Sequence, residues 1–228
     1  KIITGFITST NNSINIYCKR NVATGNRQAK IVLKFDGEDA QTLILTQTPS
    51  FNQFFETPLQ EDNQDYQYVT HYTTLNNRTV RNYSLCFDIT KRAALWVAYP
   101  IHAAYLGSTN RTNEWGFDPQ ISNYFQADCV TRSYGGPYDR GHQLPSADRL
   151  ANREMNVQTF YMSNMTPQLD RLNQDMWAKL ESKVRSYNCS DTLYVVTGAF
   201  YENTENTTTD GSGNIIPLPT HYFKVLLR

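Results

Sequence analysis

Two ten-residue runs, RNYSLCFDIT (residues 81–90) and AALWVAYPIH (93–102), alternate apolar and polar side chains, with only Lys91 and Arg92 between them. A period of two places successive side chains on opposite faces of a strand, so the pair reads as an antiparallel hairpin. SINIYCKR and AKIVLKF repeat the alternation, while QTLILTQ, DTLYVVTGAF and THYFKVLL are compact runs of strand length. Only LNQDMWAKLESKVRSY (172–187) carries a strong helical period, with Met176, Trp177, Leu180 and Val184 forming its apolar stripe. Asn173 stands where its N-cap is expected. ANREMNVQTFYMSNMTP reads as irregular around a short helix and strand. The expected class is α+β, a mainly antiparallel sheet flanked by helices and preceded by a small β-rich segment.

The chain has 228 residues, enough for one large domain with a small appendage. Residues 1–60 read as a small β-rich module plus linker, and 61–228 as the main domain. In the module, NVATGNRQ and DGEDA have turn chemistry, and TLILTQ resembles the last strand of small Ig-like modules that precede catalytic domains in exported bacterial proteins. Three or so strands are too few for a sandwich, so a β-module whose beginning is missing, with a processed or trimmed start at Lys1, is expected. Residues 48–68 have no clear period and read as a linker. No run approaches the roughly 18 apolar residues of a membrane span. With 21 basic and 21 acidic side chains the formal charge is zero. That excludes a bulk polycation but not a local basic groove built from arginines at 111, 132, 140, 149, 153, 171 and 185. Cys18, Cys86, Cys129 and Cys189 form no CxxC pair, which argues against a zinc knuckle. The even count suits an extracytoplasmic protein of bacterial type (secreted, periplasmic or at the cell surface), with Cys129–Cys189 the preferred disulfide and buried free thiols the alternative.

The stretch YGGPYDRGHQLPSADR (134–149) places Asp139, Arg140, Gly141 and His142 side by side. A histidine serves as a general base near neutral pH when its other ring nitrogen is held by an acceptor that fixes the tautomer. Arg140 offers a planar fork that fits phosphate, and Gly141 permits close backbone approach and room beside His142 for water and phosphate. Taken alone, a surface turn with a local Asp–Arg pair explains the same residues.

Five blocks in order, YDRGHQLPSADR, YMSNMTPQ, LNQDMWAKLE with Arg185 beyond it, VVTGAF and IPLPTHYFK, resemble the DNA/RNA non-specific endonucleases, the DRGH-type ββα-metal nucleases, over residues 69–228. The resemblance implies a Mg²⁺-dependent enzyme, with Mn²⁺ as a substitute cation. It would hydrolyse phosphodiester bonds of DNA and RNA and leave 5′-phosphates. His142 would be the general base, and Asn173 the sole direct protein ligand of the cation. Glu181 would hold the cation through water, and Arg185 would stabilise charge on the phosphate. Asn164 would support the base and the metal region, while Asp139 and Arg140 would brace the site. Arg111, ahead of Trp115, would be the upstream substrate-binding arginine, at a stretched spacing. The ββα element would come from residues 138–144 and the helix 173–187. The family's domain usually runs on past the THYFK strand, whereas this sequence ends at Arg228.

At 100° per residue Glu181 and Arg185 sit about 80° and 120° from Asn173, so one helix side presents all three. Each residue also has a plain structural reading. Asn173 is a cap, Glu181 and Arg185 are a solvated i, i+4 pair, and Asn164 closes a turn. His71, His102 and His221 sit in strand-like contexts and receive no role. The competing function is a catalytically silent surface module that keeps a nuclease fold for binding. Oligomeric state stays open, a homodimer included.

Overall fold

The computed structural model describes residues 7–10, 13–16, 27–35, 38–47 and 54–228. The chain divides into two compact units, Lys1–Phe54 with Pro58–Asn63, and Phe55–Thr57 with Gln64–Arg228. The first contains two antiparallel pairs, β1 (Ile7–Thr10) with β2 (Ser13–Ile16), and β3 (Arg27–Phe35) with β4 (Glu38–Gln47). Glu38, Asp39 and Ala40, expected in a turn, belong to β4. Cys18, Asp36, Gly37 and residues 48–53 lie outside the described residues.

The second unit is built on a five-stranded antiparallel sheet. β5 (Tyr66–Leu75), β6 (Arg78–Asp88), β7 (Ala93–Ile101), β10 (Leu193–Phe200) and β13 (His221–Leu227) lie in the order β13-β10-β7-β6-β5. Asn76 and Asn77 join β5 to β6 with φ of 49° and 60°. A two-residue hairpin loop of this kind needs positive φ at both positions, which asparagine tolerates. The next turn is held by Asp88, whose Oδ1 accepts from the amides of Thr90 (2.8 Å) and Lys91 (3.1 Å). β6 and β7 are buried along most of their length, and Leu85, Phe87, Val97, Tyr99 and Val195 form the main core with Leu144 and Val184. A second cluster gathers Cys129, Tyr134, Met162, Met165 and Ile216.

Between β7 and β10 the chain forms β8 (Tyr138–His142), α1 (Arg153–Gln158), β9 (Met165–Leu169), a π-helical turn (Leu172–Trp177) and α2 (Ala178–Ser186). The hairpin β11 (Thr207–Thr209) and β12 (Ile215–Pro217) precedes β13. The helix begins at Asp170, directly after β9, so Asn173 is not an N-cap but lies inside the π turn. The apolar stripe also divides. Trp177 and Val184 are buried, whereas Met176 is 63% exposed and Leu180 37%. Both line a groove of about 670 Å³ with Tyr138, Leu169 and Leu218.

Cys129 and Cys189 are free thiols, which overturns the preferred disulfide. Cys129 is sealed in the second cluster, and burial pushes its thiol up to about 12. The Cys189 thiol, just beyond α2, donates to the Asp191 carbonyl at 3.4 Å. Cys86 is also free and buried, so none of the three supports the argument for an oxidising compartment.

Leu85 has no exposed surface and sits on a central strand. Leu85→Ala should destabilise the chain by about 2–5 kcal/mol in urea unfolding, by lost transfer energy and an unfilled cavity.

Candidate active site

β8 and β9 pair antiparallel, with Asp139 opposite Gln168 and His142 opposite Met165, and the chain turns directly from β9 into the helix. This ribbon and helix are the ββα element. Asn164 locks its far end: fully buried, it accepts from the Leu144 amide at 2.9 Å and donates to the carbonyls of Leu144 (3.0 Å) and Thr159 (2.8 Å). Asp139 locks the near end, accepting at Oδ2 from the side-chain amides of Asn173 (2.9 Å) and Gln174 (2.8 Å). An ionised carboxylate only accepts, so the NH₂ of Asn173 must face Asp139. Its Oδ1 takes no hydrogen bond among the described residues.

Gly141 is required for a reason other than room for water. A Cβ there would lie 2.6 Å from both Cβ and Oε1 of Gln168 and 3.1 Å from the Thr166 carbonyl, so the glycine admits β9 rather than a ligand.

The His142 ring sits between Trp115 (centroids 5.4 Å apart) and Phe160 (5.1 Å, edge-on). The residue as a whole is partly exposed, but its Nε2 is buried and has no hydrogen-bond partner. Burial, with repulsion from Arg111 and Arg140, pushes His142 down to about 3, so the neutral ring prevails at pH 7.

Arg140 is braced, donating to the carbonyls of Cys129 (3.0 Å) and Val130 (3.2 Å) and stacking 3.6 Å from the Trp115 ring centroid. Arg111 reaches the same neighbourhood despite its stretched spacing. It donates to Asn113 (2.7 Å) and Ser146 (3.2 Å), lies over Phe160 at 4.8 Å, and interacts electrostatically with Glu181 and His142. Burial shifts both arginines downward.

Glu181 is pushed upward, chiefly by burial and further by Asp148, against the pull of Lys224, Arg185 and Arg111. The i, i+4 ion pair of the plain structural reading of Glu181 and Arg185 does not form. Arg185 donates instead from Nε to Oδ1 of Asp148 at 2.5 Å. Lys224 on β13 donates to the Thr197 hydroxyl (2.8 Å), lies 4.7 Å from the Trp177 ring centroid, and is shifted downward by burial. Sequence reasoning missed Lys224 and Asp148. The signal for Lys224 was a lone charge in the apolar run HYFKVLL; Asp148 stood in SADR, at the end of the histidine motif.

Of the proposed basic groove, Arg149 is withdrawn, because it has no exposed surface. Arg132 bonds the Gly211 carbonyl, and Arg153 pairs with Glu114. His71 is buried against Asp118 (2.7 Å), with Ser163 donating to the same oxygen (2.6 Å). The His71 contacts belong to the interior, whereas the Arg132 and Arg153 contacts lie at the surface.

For a divalent cation, the donor set fits a hard ion. Asn173 Oδ1 is an oriented amide oxygen, and Glu181 is a carboxylate on the same helical segment. Among the described residues, no group of three or more His, Cys, Asp or Glu is placed to hold a metal. A cation here would therefore rely on one or two protein oxygens with water completing its shell.

The fold and this ββα site belong to a known class: residues 61–228 match the DNA/RNA non-specific endonuclease family, and the chain is a member of it. Among its relatives is mitochondrial endonuclease G of Homo sapiens, 33% identical over 159 residues, covering 64% of this chain and 52% of that protein. The nuclease of Serratia marcescens is 33% identical over 164 residues, covering 69% and 57%. The matched region thus spans about half the length of such relatives. A solved EndoG/EndoGI complex contains a chain with TM-score 0.50 and 25% identity, covering 69% of this chain and 67% of that one.

The folded-state value of His142 lies below the unfolded one of about 6.5, so the unfolded chain takes up the proton first as pH falls. The neutral ring's contribution to stability is complete above about pH 6.5 and is lost between there and about 3, at no more than roughly 1.4 kcal/mol per pH unit. His142→Gln should flatten this acid-side loss in urea unfolding across about pH 7 to 4.5; an unchanged slope would refute the assignment.

Proposed function

We propose that the chain is a Mg²⁺-dependent endonuclease that hydrolyses phosphodiester bonds of DNA and RNA to 5′-phosphate products, with Mn²⁺ able to substitute. The observation that carries this reading is that His142 and the unbonded Oδ1 of Asn173 are brought together in one ββα element. The division into a small β-rich module through about residue 60 and a nuclease domain from residue 61 belongs to the same proposal. Its support is the separation of the two units and the start of the family match.

Asn173 would hold the cation directly and Glu181 through water. When bound, the cation neutralises the scissile phosphate and the charge growing on the leaving 3′-oxygen. His142 accepts the proton of the attacking water. The water oxygen forms its bond to phosphorus, the P–O3′ bond breaks, and the 3′-oxygen takes a proton from solvent. Arg185 and Arg111 face the non-bridging oxygens, where charge accumulates. Asp139 keeps the Asn173 amide from turning, and Arg140, held by two carbonyls and Trp115, fixes the strand that carries His142. Nothing in this set reads a base or a 2′-hydroxyl, consistent with a lack of sugar selectivity.

Purified chain should nick plasmid DNA and degrade RNA with Mg²⁺ and stop on EDTA, and His142→Ala should lower the rate by about 10²–10⁴-fold. Binding without cleavage would favour the silent binding module instead, and an undiminished His142→Ala rate would remove His142 as the base.

A further inference from the structure

We propose that Asp148 is a positioning residue for Arg185, holding the guanidinium by Nε so that its terminal nitrogens are presented to the substrate phosphate. The substrate side of this statement rests on the nuclease reading; the positioning itself does not.

Arg185 lies in the last turn of α2, on a long stem with roughly 2 kcal/mol of rotamer entropy. Its Nε donates to Asp148 Oδ1 at 2.5 Å, and its terminal nitrogens make no hydrogen bond among the described residues. One acceptor on Nε fixes the plane of the fork and leaves its open end for bidentate contact with phosphate oxygens. Arg185 is 26% exposed on its side chain and Asp148 only 1%, so the carboxylate is the fixed member and the guanidinium the one that meets solvent.

The fixing can be traced to the centre of the sheet. Asp148 ends a 3₁₀ turn, Ser146–Asp148, and its carbonyl accepts from Arg149 Nη1 at 2.8 Å. Arg149 in turn donates to the Asn82 side chain (2.6 Å), the Asn82 carbonyl (2.8 Å) and the Pro100 carbonyl (2.9 Å), on β6 and β7. A continuous path of hydrogen bonds therefore runs from the two central strands to Arg185.

Stability alone is a poor reason for a carboxylate here. Asp148 Oδ2 is buried with no hydrogen-bond partner, and an unsatisfied buried acceptor costs about 1–3 kcal/mol. A residue kept for packing would leave no such orphan. One kept to orient a cation needs only the oxygen it uses.

The test compares Asp148→Ala, Asp148→Asn, Arg185→Ala and the Ala/Ala double variant by kcat and KM on plasmid DNA with Mg²⁺, and by hydrogen exchange of the Arg185 Nε–H in NMR. Asp148→Ala should lower kcat by about 10–100-fold, the scale of a misplaced catalytic group, with a smaller change in KM. Asp148→Asn, whose amide oxygen still accepts from Nε, should recover most of that. In the Arg185→Ala background the loss of Asp148 should add nothing, because its effect passes through Arg185. In the wild type the Arg185 Nε–H should exchange far more slowly than that of exposed Arg171.

Full additivity in the double variant, or an impaired Arg185→Ala beside an unimpaired Asp148→Ala, overturns the proposal. So does a wild-type Nε–H that exchanges as fast as Arg171's, a reading that needs neither cleavage nor a folded variant. Absence of cleavage by the wild type would instead overturn the nuclease reading and leave the exchange measurement to decide this one.

Discussion

A guanidinium with no exposed surface is expensive to bury unless its donors find acceptors, and four of the five N–H groups of Arg149 do so, on the Asn82 side chain and the carbonyls of Asn82, Pro100 and Asp148. Its ring neighbours Tyr99 and Tyr105 complete the enclosure, at 5.4 and 4.6 Å from the guanidinium carbon. Burial lowers it to about 10, which still leaves it charged at pH 7. The three acceptor residues come from β6, β7 and the turn after β8, segments far apart in the chain. Satisfying one buried cation thus ties the long excursion between β7 and β10 back onto the sheet. Removing it would strand buried acceptors on both sides, the situation in which a lost hydrogen bond is most destabilising.

From that anchor the site is assembled by amides rather than by packing. Asn164 fixes the backbone two residues after His142, and Asp139 fixes Asn173. Between those two locks β8 and β9 run five residues each, too short a ribbon for independent stability. The π winding at Leu172–Trp177 matters for the same reason. It changes the angular step across Asn173, so the bearings of Glu181 and Arg185 expected from a regular α-helix do not carry over to it.

Period explains what could be read from the sequence. The 81–102 hairpin, the strand runs after 191 and the helix ending near Tyr187 follow from alternation and a helical stripe, signals that local sequence contains. The blocks around His142, Asn164 and Asn173 were recognisable because the family's spacing recurs. What escaped were outcomes of tertiary competition. Asn173 looked like a cap because a polar residue opens the stripe, but Asp170 and Arg171 already extend the helix. Glu181 and Arg185 have helical spacing for a pair, yet the buried Asp148 carboxylate takes the arginine. Gly141 looked like space for a ligand and is occupied by Gln168. Each of these depends on a partner more than about twenty residues away, or on the winding of a single turn, and no local pattern reports either.

The charges of the site make one further physical point. A chain of zero net charge places Arg111, Arg140, Arg185 and Lys224 around Glu181, Asp148 and His142. Burial depresses Arg140 and Lys224 and raises Glu181, and partial desolvation lowers Arg111, which stays exposed to solvent. Under the proposed function, a phosphodiester entering this cluster would supply the anion that the desolvated cations lack. The attraction would act at the reduced dielectric of a partly closed site, where it is stronger than at an open surface. Burial first, and then Arg111 and Arg140, keep the His142 ring neutral. Under that function, local desolvation rather than bulk charge would suit a neutral chain to a polyanionic substrate.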